Sequence, residues 1–149
     1  MEVISKIYKN PVFGIVVKLD SGKEVKISLT HKAISKKILN GEHYRYRLNI
    51  SVDRKSICFP YHDSIWNYEK RIPISEDNIK DAIIAVISDV DSYIESSDYS
   101  DFCVMFGYEE NSESRKIYNL CKEFNDKLYS IFDDEEINEL DRWGKGIND

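Results

Sequence analysis

The chain predicts an α+β fold, with an N-terminal antiparallel sheet of four to six strands packed against a C-terminal layer of three to four helices. Three observations carry this reading. Apolar residues alternate at a period of two through the first half, and from residue 79 onward they recur at spacings of three and four. The links between the early segments are too short for parallel crossovers. A run of strands followed by a run of helices is the α+β pattern.

The elements follow in order. Val3 to Tyr8 reads as a first strand. Phe13, Ile15, Val17 and Leu19 alternate with Gly14, Val16, Lys18 and Asp20, and the alternation resumes at Val25, Ile27 and Leu29. Between them Asp20-Ser21-Gly22-Lys23 forms a tight turn, because Gly22 tolerates positive φ and Asp20 can bond the backbone that follows. His31 to Leu39 is open between strand and helix: Ala33, Ile34 and Ile38 are helically spaced and Asn40-Gly41 ends the segment. The clearest strand comes next, with Tyr44, Tyr46, Leu48, Ile50 and Val52 on one face and Arg45, Arg47, Asn49, Ser51 and Asp53 on the other. Ser56 to Tyr61 returns after a turn, and Ile65 to Tyr68 adds a short strand.

Pro73 marks the change of character. Ser75 is expected to cap a helix whose apolar stripe is Ile79, Ile83, Val86, Ile87, Val90 and Ile94. A short helix from about Ser100 to Phe106 stops at Gly107. A third starts at Ser112 and buries Ile117, Leu120, Cys121, Phe124, Leu128 and Ile131, with Tyr118 also expected inside. A fourth spans Asp134 to Trp143, with Ile137, Leu140 and Trp143 one turn apart, and a frayed tail follows.

At 149 residues, 42% hydrophobic and 32% charged, the chain fits one globular domain, 1–149, and needs no disulfide or metal staple. No stretch approaches a membrane span, and the first residues lack the basic and apolar regions of a signal peptide, so the cytoplasm of a host cell is the expected compartment. Cys58, Cys103 and Cys121 are expected to be buried free thiols. The net charge of −6 hides a sharp split. Residues 1–72 carry 14 Lys and Arg against 7 Asp and Glu, a net +7, whereas residues 73–149 carry 7 against 20, a net −13. The split fits either charged partners or neutralisation of one half by the other.

Enzyme chemistry finds little footing. His31, His43 and His62 have no ligand spacing, His62 reads as a surface turn residue, and the cysteines do not fall at zinc-finger intervals, so neither a metal nor another cofactor is expected. No GxSxG elbow and no phosphate-cradling loop occur. Cys103 stands beside Asp101, the wrong neighbour for an activated thiol. The chain is therefore read as a non-enzyme.

Two charged surfaces remain. Asp77, Asp81, Asp91, Glu95 and Asp98 fall on the outer side of the first helix, and Glu109, Glu110, Glu113, Asp133, Asp134, Glu135 and Glu136 extend the negative potential. Carboxylates one helical turn apart sit ~5–6 Å from each other, a spacing comparable to that of phosphates along a nucleic-acid strand. Such a face can compete for a cationic groove on a nucleic-acid-binding protein. The alternative is direct nucleic-acid binding through Lys18, Lys26, Arg45 and Arg47 on the sheet. It is disfavoured because Tyr44 and Tyr46 point to the opposite face.

One segment supports the first surface in another way. Asp101-Phe102-Cys103, Phe106-Gly107-Tyr108, Ser114-Arg115-Lys116-Ile117-Tyr118 and Cys121, preceded by Ser88-Asp89, resemble a C-terminal block of small phage-encoded proteins. The resemblance covers roughly residues 73–132, and the turn from Tyr108 to Ser114 is one residue longer than the block's usual spacing. It implies a phage or mobile-element origin, with Arg115 anchoring the acidic turn. By class it implies an inhibitor of a host defence protein such as a CRISPR effector, of the anti-CRISPR type.

Overall fold

The computed structural model describes residues 1–9, 11–38, 41–59, 62–63, 74–95 and 98–144; the side chains of residues 32–38, 41–44, 62–63, 89, 91–94 and 144 lie outside the description. The expected strand at Ile65 to Tyr68, the boundary at Pro73 and the tail beyond 144 also lie outside it.

Among the described residues six strands form one antiparallel sheet. They are β1 (Glu2–Lys9), β2 (Val12–Lys18), β3 (Glu24–Ile38), β4 (Gly41–Val52), β5 (Lys55–Cys58) and β6 (His62–Asp63). The sheet runs β1-β2-β3-β4-β5 as a meander, and β6 pairs with β4 further along the edge that β5 occupies. Register is set by matched apolar rows. Ile15, Ile27, Ile50 and Ile57 line up across four strands, and Phe13, Leu29 and Leu48 across three. All seven are buried, so a one-residue slip would turn the whole row to the other face.

The β2–β3 turn forms as its residues dictate. Leu19 and Gly22 close it through backbone bonds of 2.8 and 2.9 Å, and Gly22 takes φ +93°. Asp20 does not bond the following backbone, however. Its carboxylate accepts from the Met1 amine at 3.2 Å, and the Ser21 hydroxyl takes the Lys23 N–H instead. Gly14 has a different reason to be glycine, since a Cβ there would lie 2.9 Å from both the Ile27 carbonyl oxygen and the Ser28 Cβ.

The open segment from His31 is strand: β3 continues to Ile38, paired with β4 through Ala33↔Tyr44 and Ile34↔His43. A bulge between Ile34 and Lys37 breaks the period of two, which is why the spacing there imitates a helix. His62 likewise lies in a strand, opposite Tyr46, and not in a turn. Cys58 is exposed while Cys103 and Cys121 are buried. Its neighbours Ile57 and Phe59 take the inward positions, so alternation sends Cys58 outward.

Among the described residues the helices are α1 (Ile79–Ile94), α2 (Tyr99–Phe106), α3 (Ser112–Ile131) and α4 (Asp134–Gly144). Helix α1 lies on the sheet with Ile79, Ala82, Ile83, Val86 and Val90 buried, while Ile87 is only half-buried. It starts a turn later than Ser75 suggests. The Asn78 carbonyl accepts the first helical bond from Ala82, and the Asn78 side chain accepts from the Ser75 N–H at 2.7 Å. Helix α2 is capped by Asp98 and ends at Gly107 with φ +70°, the left-handed exit that glycine permits. Helix α3 is capped by Asn111, which shares a reciprocal capping box with Ser114. Its inward face is narrower than expected: Cys121 and Phe124 are buried, Tyr118 is half-buried and Leu120 is 37% exposed. Phe59 meets Phe124 edge-on at 5.4 Å, so sheet and helices share one core. Burial also pushes the Cys121 thiol up to about 12, so it stays protonated.

The joint between the β2–β3 turn and α4 is ionic. Glu136 accepts from Lys23 Nζ at 2.9 Å, Ser21 Oγ at 2.7 Å and the Asp133 N–H at 3.0 Å. Glu139 accepts the Asp20 N–H with both oxygens at 3.1 Å. Both carboxylates are buried, which removes Glu136 from the acidic surface to which the sequence assigns it. Desolvation works against the Glu136 charge, yet the Asp133 N–H, Lys23 and Ser21 together outweigh it and hold the carboxyl below its usual range. A depressed folded-state pKa means stabilisation that is present above the unfolded value and lost as pH falls through the folded one. Lys23→Met is therefore expected to cost about 1–2 kcal/mol at neutral pH, with allowance for the partial exposure of Lys23. In urea unfolding, that deficit should shrink as the pH falls through the depressed folded-state range, where Glu136 protonates. A deficit that stays constant across the whole acid limb would mean the ion pair contributes nothing.

Candidate partner-binding surface

Helix α2 has only eight residues, too few to be stable alone, so its surroundings must hold it. Phe102 is fully buried and its ring lies 5.3 Å from Phe106, 5.6 Å from Tyr108 and 5.4 Å from Tyr118. Beside this cluster Tyr99 packs edge-on against Tyr118, and its hydroxyl lies 2.6 Å from Ser114 Oγ. Ser114 Oγ donates to the Glu109 carbonyl at 2.6 Å and accepts from the Asn111 N–H at 3.1 Å, which fixes the α2–α3 turn. The Arg115 guanidinium stacks 3.8 Å from the centre of the Tyr99 ring. That contact replaces the expected anchoring of the acidic turn. Phe102, Phe106, Tyr108, Ser114, Arg115 and Tyr118 thus build this corner together with Tyr99.

With Phe102, Cys103 and Phe106 turned inward, the opposite side of α2 must face solvent. Val104 is 82% exposed and Met105 52% exposed, side by side on that face. Carboxylates surround them. Asp101 is one turn below Met105, and Ser100, one turn below Val104, donates its hydroxyl to Glu110 at 3.0 Å. Asp98 caps the helix, and Glu109, Glu110 and Glu113 are exposed in and after the following turn. The result is an exposed apolar pair with carboxylates at both ends of α2.

The structure divides the acidic residues of the sequence reading. Asp98, Glu109 and Glu110 come together at the α2 corner. Asp77 is exposed just before α1 and Asp81 is exposed in its first turn, the latter about 21 Å along the axis from Glu95 at ~1.5 Å per residue. Half-buried Ile84 and exposed Ser88 stand between Asp81 and Glu95 on that side of the helix. Asp91 lies on α1, with its side chain outside the description. Val104 and Met105 were the residues that sequence reading missed. Their signal was present, because a helix that buries positions 102, 103 and 106 must expose 104 and 105.

Lys18, Lys26, Arg45 and Arg47 share the outer face of the sheet, opposite the buried rows, but not as one patch. Lys18 is paired across the ladder with Glu24, and Arg45 with Asp63. Between the lysine and arginine ends lie Ser28, Thr30, Asn49 and Ser51; Asn49 donates to Thr30 at 3.3 Å and accepts from the Cys58 thiol at 2.8 Å. Tyr46 is buried on the other face, so it offers no stacking surface there.

Comparison with protein-family models, with curated proteins and with solved structures gives no match. Among the described residues no group of three or more His, Cys, Asp and Glu could hold a metal ion, and no helix is long and apolar enough to cross a membrane.

Proposed function

We propose that this chain is a non-catalytic accessory protein of a phage or mobile element, acting in the host cytoplasm. It binds a host nucleic-acid-binding defence protein, such as a CRISPR effector, and occupies its basic groove. The observation that carries this reading is the exposure of Val104 and Met105 within the rim of Asp98, Asp101, Glu109 and Glu110. Exposed apolar anchors enclosed by charge are the anatomy of a protein interface, in which the centre supplies affinity and the rim supplies steering. Carboxylates predominating around the pair favour a cationic partner. The likeness of residues 73–132 to a phage block supports the same origin, since the corner it builds is what presents the two anchors.

The test uses a purified CRISPR effector and its labelled nucleic acid in a competition assay. Val104→Glu with Met105→Glu should weaken inhibition by about 30- to 1,000-fold, the loss of two anchors at ~1–2 kcal/mol each. Asp98→Asn, Glu109→Gln and Glu110→Gln together should slow association and flatten its salt dependence. Unaltered inhibition in both variants would sink the α2 surface. Direct binding of DNA or RNA by the chain at about 50 mM salt, weakening steeply as salt rises, would instead favour the Lys18, Lys26, Arg45 and Arg47 face.

A further inference from the structure

A second feature lies at the edge of the sheet, independent of the α2 surface. Among the described residues β1 is paired on one side only, with β2. Its other edge therefore presents backbone N–H and C=O groups that a further strand can take up. The exposed apolar side chains Val3, Ile4 and Tyr8 stand along it, Ile4 at 46% and Tyr8 at 47%. Helix α1 packs on β2, β3 and β4, so the helix layer stands back from this edge. Against β2 the strand has seven ladder positions, because a bulge leaves Ile4 unpaired between Val3 and Ser5. That bulge resets the alternation. Val3, Lys6 and Tyr8 stand opposite Val17, Ile15 and Phe13 on the core face, and Glu2, Ser5, Ile7 and Lys9 share the outer face. Accordingly Lys6 Nζ and the Tyr8 hydroxyl donate to the carbonyls of Glu76 and Ile74 at 3.3 and 3.1 Å, just before α1.

We infer that β1 pairs antiparallel with β1 of a second copy, joining the two sheets into one about a two-fold axis at Lys6. Such an axis stands normal to the sheet and keeps every side chain on its own face, so only same-face residues can oppose one another. Centring on Lys6 meets that condition and uses all seven positions. It sets Glu2 opposite Lys9 of the second copy, Val3 opposite Tyr8 and Ser5 opposite Ile7, and symmetry makes each pair twice. The strand is thus self-complementary in charge at its ends and apolar at Val3 and Tyr8. The Tyr8 ring lies 5.0 Å from Phe13, so this apolar strip continues from the core. Lys6 meets its own copy on the axis, the one unfavourable pair, and its bond to the Glu76 carbonyl draws the charge toward the helix side. Moving the centre to Ser5 or Ile7 shortens the ladder and separates Glu2 from Lys9. Pairing β1 with the β5 edge of a copy would propagate without end, whereas one edge used twice closes on itself.

Sedimentation of the whole chain at about 50 mM salt should show a monomer–dimer equilibrium with Kd on the order of 10–100 µM, the weak class of a small interface. Amides of β1 should exchange more slowly as the concentration rises through that range, while those of β3 stay unchanged. Glu2→Lys sets lysine opposite lysine at both ends and should raise Kd by about tenfold, and Lys9→Glu should do the same with carboxylates. Combining the two restores both pairs with their charges exchanged, so Kd should return to within about threefold of the parent. Lys6→Thr removes the like pair on the axis and should lower Kd by about threefold or more. All three positions are exposed, so these variants keep the fold. Val104→Glu with Met105→Glu should leave the dimer unchanged, which separates this edge from the α2 surface. A chain that stays monomeric up to about 1 mM would overturn the proposal and leave the edge to a strand of another protein. So would a dimer that the charge exchange does not restore, or one that the α2 variant abolishes.

Discussion

Residues 75–149 expressed alone are expected to show no cooperative unfolding transition. Three of the four helices lose what they pack on. Ile79, Ile83, Val86 and Val90 of α1 are buried against the sheet, Phe124 of α3 loses Phe59, and Glu136 and Glu139 of α4 lose Lys23, Ser21 and the Asp20 N–H. Each of those apolar side chains contributes roughly 1.5–3 kcal/mol when fully buried, against a typical whole-domain stability of about 5–15 kcal/mol. Removing the sheet therefore removes more than the fragment can spare. Circular dichroism should show partial helix that melts gradually. A monomeric fragment with a sharp two-state transition would contradict the shared core and establish two independent domains.

Phe102→Ala is expected to be among the most damaging single substitutions, at about 3–5 kcal/mol. Its side chain is fully buried and holds α2 through Phe106, Tyr108 and Tyr118. Because eight residues cannot sustain a helix unaided, part of the cost should appear as local opening of residues 99–106, with the sheet still folded. Amide exchange in α2 should accelerate by about 100-fold or more while the buried rows of β2, β3 and β4 keep their protection. If α2 presents the binding anchors, inhibition should fall in the same variant, since Val104 and Met105 then lose their fixed geometry. Unchanged exchange in α2 would show that the aromatic corner does not support the helix.

The two charge predictions differ in what they probe. Lys23→Met tests a buried joint, where pH decides the outcome. The rim substitutions at Asp98, Glu109 and Glu110 test exposed carboxylates, where salt decides it. The joint also shows that the +7 and −13 halves neutralise each other where Lys23 meets Glu136 and where the Met1 amine meets Glu139. The acidic residues at the α2 corner remain on the surface.

Much of this architecture was legible in residue spacing alone. Alternation from Phe13 to Leu29 and from Tyr46 to Val52 predicts the strands and their inward faces, because side chains of a strand must alternate. Gly22 and Gly107 mark left-handed backbone that other residues resist, and the three- and four-residue spacing from Ile79 to Val90 marks the stripe of α1. The same arithmetic would have placed Cys58 outside and Val104 and Met105 on the surface. Other features depended on distant partners. His31 to Ile38 is strand because β4 lies alongside it and a bulge absorbs the broken period. Glu136 and Glu139 are buried because a turn more than a hundred residues earlier supplies the ammonium, hydroxyl and amide that make their burial tolerable. Local sequence determined which way each side chain turns within its own element. Tertiary structure alone decided which carboxylates gather at the α2 corner and which disappear into the fold, because charge placement depends on contacts between elements that no local period encodes.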